Sequence, residues 1–200
     1  MTYYDFFKDW QSLISSIIAF IAIFFGANHK FKLDRKRDDQ LRADEARSVL
    51  AALYGEIISL RQQAGKLAEF LGKTEINDSK EYFDTDHLKR HYSLTEPFLY
   101  KQLTSKIGLI DPNIIIEIAD FYRTYEEARR ELFKLGYVRL IDCSEDRFIM
   151  YRCCEAVKIV EPTLRKIEAI LIINSASEVD IESAKWVKEI DETMYDEINS

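Results

Sequence analysis

Proline is nearly missing from this sequence, with three in 200 residues, and glycine is scarce at six. Both residues end or loosen helices, so their scarcity excludes a chain of many short strands and tight turns and favours long helices. Cysteine is limited to Cys143, Cys153 and Cys154. An odd number without a C-x-x-C spacing excludes a disulfide framework or a zinc ribbon and predicts reduced thiols in a cytosolic domain. Positive charge is also short: 28 Lys and Arg face 35 Asp and Glu, for a net charge of -7. That balance excludes nonspecific binding to nucleic acid, which relies on clustered cations. The acid is concentrated between Glu178 and Ser200, where only Lys185 and Lys188 oppose it.

Catalytic signatures are missing as well. The chain has no glycine-rich phosphate loop, no nucleophile elbow and no paired Glu-x-x-His of a di-iron centre. In "HLKRH", His87 and His91 stand four apart, a spacing that puts two imidazoles on one helical face. They are the candidate metal ligands, although no Glu follows His87 and a third ligand must come from Asp84, Glu96 or elsewhere. The Arg-to-His spacing of HEPN ribonucleases is absent, since Arg90 and His91 are adjacent. Tyr122, Arg123, Tyr125, Arg129 and Arg130 interleave rings with guanidinium groups, a mixture able to stack bases or hold phosphate. Glu126, Glu127 and Glu131 lie among them, and ion pairs along one helix account for the same pattern. Tyr122, Arg123, Arg129 and Arg130 are kept as a candidate ligand or partner surface. No catalytic residue and no cofactor follows from the sequence.

What the sequence does have is "WQSLISSIIAFIAIFFGANHKFKLDRKRDD". No formal charge occurs from Trp10 to Asn28, and a helix of that length reaches about 28 Å, close to the hydrocarbon thickness of a bilayer. The run from Ile17 to Phe25 is apolar on every side, so such a helix needs apolar surroundings all round. A cleavable signal is disfavoured by Asp5 and Asp9 in the first segment and by Phe25 three residues before the best cut, after Ala27. Lys30, Lys32, Arg35, Lys36 and Arg37 follow the run, against Lys8 before it. By the positive-inside rule these topology determinants place the N-terminus outside and the remaining chain in the cytoplasm. The same cations lie where anionic headgroups would be.

Beyond the basic flank, Ala46, Leu50, Leu53, Ile57, Leu60, Ala64, Leu67 and Leu71 recur at alternating steps of four and three. The seam predicts a helix running to a cap at Gly72, packed in a bundle or paired with a second subunit as a coiled coil. Lys73 to Asp86 reads as a loop followed by a short helical region. Helix starts are predicted at Thr95 with Pro97 and at Asp111 with Pro112. Ile115, Ile118, Phe121 or Tyr122, Tyr125, Ala128 and Leu132 form one stripe. Phe148, Tyr151, Cys154 and Val157 form the next, in a helix capped by Ser144 and interrupted at Pro162. Ser177 caps a last helix carrying Val179, Trp186, Ile190 and Met194. The expected fold is all-α: an N-terminal transmembrane helix continuing into a cytosolic bundle of about four or five helices. The expected organisation is a short outer segment 1–9, a span 10–28, a basic juxtamembrane segment 29–45 and a cytosolic helical domain 46–200.

Through "WQSLISSIIAFIAIF", the Arg-rich helix leading to "LAALYGEIISL", and "IGLIDPNIIIEIADFYRTY", the chain resembles a broad group of uncharacterised bacterial single-pass membrane proteins. The resemblance implies an N-terminal anchor and a helical cytoplasmic domain. A non-enzymatic interaction module at the bacterial inner membrane is the leading expectation, with the lipid bilayer and a protein partner or a second copy as partners. The alternative is an oligomeric membrane effector or pore in phage defence or stress, with a ligand-sensing cytosolic domain and close helix contacts at Ser15, Ser16 and Gly26.

Overall fold

A computed structural model describes residues 3–76, 85–134 and 143–173. Among the described residues every regular element is helical: α1 (Tyr3–Ile76), α2 (Thr85–His91), α3 (Leu99–Gln102), α4 (Pro112–Lys134), α5 (Cys143–Ile159) and α6 (Glu161–Leu171), with a single 3-10 turn at Ile107–Leu109. The fold is therefore all-α, with a long N-terminal apolar helix and a helical bundle. The chain divides into two compact units, Met1–Glu45 and Ala46–Ser200.

The second unit owes its core to the seam in α1. Leu50, Leu53, Ile57, Leu60, Ala64, Leu67 and Leu71 are buried in one cluster with Ile118, Phe121, Tyr125 and Ala128 of α4, Ile149 and Cys153 of α5, and Leu164 and Ile167 of α6. Steps of three and four keep these side chains on one face, and burying a Leu, Ile or Phe stabilises by roughly 1.5–3 kcal/mol each. Within this chain the seam is covered by the bundle's own helices.

The boundaries expected at Gly72 and Thr95 fall elsewhere. Gly72 does not cap α1, which continues to Ile76. A capping glycine adopts positive φ, and among the described residues no glycine does. Gly72 is instead buried inside the helix. The start at Thr95 and Pro97 falls later, at Leu99, and neither its N-cap Phe98 nor Thr95 supplies the side-chain cap. By contrast, the Asn113 N–H donates to Asp111 Oδ1 at 2.8 Å, and α4 begins at Pro112. That is the sequence-local cap that Asp followed by Pro encodes.

The stripe of α5 is rotated from the expected one. Ile149, Cys153, Ala156, Val157 and Val160 face the core with Met150 and Cys154, while Phe148 and Tyr151 are exposed. Two apolar stripes compete on this helix, and the guanidinium of Arg152 stands over the Phe148 and Tyr151 rings at 5.1 and 6.0 Å on the outer one. The chain turns at Val160, with Pro162 in the first turn of α6, where its missing N–H costs nothing. Ile172 ends α6 in the left-handed region, φ 58°, and the Ile173 N–H donates back to the Glu168 carbonyl. Ser144 lies inside α5 rather than before it. The helix expected from Ser177, with Trp186, and most of the loop between Lys73 and Asp86 lie outside the described residues.

Candidate functional site

Within the first unit, α1 presents its apolar run to the outside. Ile17, Ile18, Phe20, Ile21, Ile23, Phe24 and Phe25 are all exposed, Phe20 at 71%, with the Phe24 and Phe25 rings meeting edge to face at 6.3 Å. A soluble helix hides such side chains on at least one face. Here the apolar stretch has none buried, and α1 is long and apolar enough to cross a membrane. Lys30, Lys32, Arg35, Lys36 and Arg37 follow on the same helix, every one exposed, as are Phe31 and Leu33 between them.

The bundle separates the residues that the sequence grouped as a ligand surface. Tyr122 is 3% exposed. Its hydroxyl donates to Glu56 Oε2 at 2.6 Å and its ring stacks on Tyr100 at 4.1 Å. Burial first, and then the bond to Glu56, push that phenol well above its ordinary range. Arg129 is half-buried, paired with Glu126 at 3.0 Å and Glu96 at 3.8 Å, its guanidinium over Phe133. Arg123 and Arg130 share the wet face of α4. Arg123 pairs with Asp120 at 3.1 Å, and Arg130 donates to the Glu126 carbonyl. The geometry therefore gives each arginine an oxygen partner within the chain and places the Tyr122 ring inside the core.

Three polar clusters tie α1 to the rest of the bundle, and the sequence did not disclose them. Glu56 accepts hydrogen bonds from the backbone N–H groups of Phe98, Leu99 and Tyr100 at 2.7, 2.6 and 2.9 Å. It thus caps α3 from another helix, satisfying donors that every helix start leaves open. Gln63 Oε1 accepts from the Thr95 N–H, the Thr95 hydroxyl and the Tyr125 hydroxyl. Tyr54 donates to Glu168 Oε1 at 2.7 Å, while Arg61, 3% exposed, donates through Nε to the Val157 carbonyl and lies 4.0 Å from Glu161. Only their position gave a signal: Glu56, Arg61 and Gln63 flank the seam, too close to it to be fully wet.

His91 ends α2 and is exposed, and the side chain of His87 lies outside the described set. Among the described residues no group of three His, Cys, Asp or Glu side chains is placed to hold a metal. Cys153 and Cys154 are buried and unbridged, and burial pushes the Cys153 thiol up, away from the reactive thiolate.

The arrangement defines a class: a helical bundle whose first helix carries an exposed apolar segment of membrane-spanning length. Comparison with protein-family models, with curated proteins and with solved structures gives no match.

Proposed function

We propose that this protein is a membrane-anchored helical interaction module of the bacterial inner membrane, with its N-terminus outside and its bundle in the cytoplasm. The observation that carries this reading is the contrast between the two units. The bundle buries a core of its own, even though Phe98, Ile116 and Phe133 stay outside it, whereas in the run from Ile17 to Phe25 no residue is buried. A bilayer supplies the missing apolar surroundings, and the cations from Lys30 to Arg37 set the direction.

Membrane fractionation combined with protease accessibility tests the placement. The intact chain is expected in the carbonate-washed membrane pellet, its bundle protected in right-side-out vesicles and cleaved in inverted ones. Recovery of intact chain in the soluble fraction, or digestion of the bundle from outside, would overturn it.

A further inference from the structure

The helical turns directly after the apolar run hold two kinds of group that ordinarily avoid each other. Lys30, Lys32, Arg35, Lys36 and Arg37 are exposed and opposed within that stretch only by Asp34. Among them Phe31 is 68% and Leu33 55% exposed, large apolar groups left uncovered. Water suits the first set and not the second, and hydrocarbon suits the second and not the first. The boundary between headgroups and acyl chains suits both: Phe and Leu enter the acyl edge while Lys and Arg stems run along the apolar surface and deliver their charges outward.

Distances agree with that setting. Because α1 is unbroken from Tyr3 to Ile76, no loop carries the cations away from the end of the span. At a rise of ~1.5 Å per residue, Arg37 lies only about 14 Å beyond Asn28. A headgroup layer is roughly 5–8 Å deep and charge is felt about 8 Å further at physiological salt, so all of these cations lie within its field. A topology signal needs cations alone. Exposed Phe31 and Leu33 alternating with lysines add a feature that orientation does not require.

We propose that Lys30 to Arg37 form a collar that gathers anionic phospholipid headgroups, with Phe31 and Leu33 seated at the acyl boundary. This rests on the anchor reading above. Its partner is the anionic leaflet itself, which would concentrate the protein where phosphatidylglycerol-type lipids are dense.

The test uses the full chain with Trp10→Phe, Trp186→Phe and Phe31→Trp, reconstituted in bilayers mixing phosphatidylcholine and phosphatidylglycerol, with either lipid brominated near the top of its acyl chains. At about 50 mM salt, quenching at position 31 is expected to report roughly fivefold preference for the anionic lipid, approaching parity at about 500 mM. Changing Lys30, Lys32, Arg35, Lys36 and Arg37 to Gln is expected to abolish the preference at low salt. Equal quenching by both lipids at low salt overturns the collar while leaving the anchor intact. Quenching by neither overturns the anchor and the collar together.

Discussion

At the scale of single residues, the bundle uses ionised groups as connectors between helices. Glu117 of α4 holds both the Thr163 hydroxyl, at 2.8 Å, and the Lys166 ammonium of α6. The bond from Lys166 first, and that from Thr163 second, lower the Glu117 carboxyl below its ordinary value near 4.5. A depressed folded-state value means that the unfolded chain takes up its proton first as pH falls. Stability from this pair is therefore present above pH 4.5 and is lost as pH drops through the folded value. Glu96, lowered chiefly by its hydrogen bond from Lys101, acts in the same direction at the exposed surface. The thermal midpoint of the full chain in detergent is expected to fall on acidification below about pH 4.5, and Glu117→Gln is expected to flatten part of that slope. An unchanged slope in the variant would mean that ionisation of Glu117 is not linked to folding.

At the scale of elements, the distinction that matters is between helices specified by their own residues and helices completed by others. The lower half of α1 was legible because its apolar residues recur at helical spacing without proline, and α4 because Asp111 and Pro112 encode its start locally. Helix α3 was not legible to the residue: its first turn depends on Glu56, more than forty positions away. Nor was the face of α5, since two stripes of similar hydrophobicity compete and the winner is decided by packing against α4. Tyr122, Arg123, Arg129 and Arg130 differ in burial for the same reason, because spacing alone does not tell Tyr122, at the core, from Arg123, on the wet side. Glu56→Ala is expected to destabilise the bundle by about 3 kcal/mol and Tyr122→Phe by about 1 kcal/mol, because the first removes the three bonds from the start of α3 together with that from Tyr122, and the second removes the Tyr122 bond alone. The double variant is expected to cost less than the sum, since both remove the same contact. Denaturant unfolding followed by circular dichroism measures all three, and a Glu56→Ala cost near zero would show that water replaces the cap.

At the scale of the whole molecule, the sequence writes two solubility rules into one helix. Residues of α1 after Ala46 are apolar on one face and find that face covered in the second unit. Residues from Ile17 to Phe25 are apolar all round, and within the first unit none of them is buried. If this stretch belongs to a bilayer, a charge there is opposed by lipid and not by the bundle's core. Phe20→Asp is then expected to weaken insertion by about 2.5–3.5 kcal/mol beyond the lost apolar gain, moving the chain from the membrane pellet toward the soluble or aggregated fraction. The same substitution is expected to leave the thermal midpoint of the bundle in detergent unchanged, because Phe20 is no part of its core. The opposite pattern, a lowered midpoint with fractionation unaffected, would mean that the run is buried against protein in an assembly. Measuring both quantities on one variant therefore separates a lipid-facing helix from a protein-covered one, which neither its length nor its composition can do.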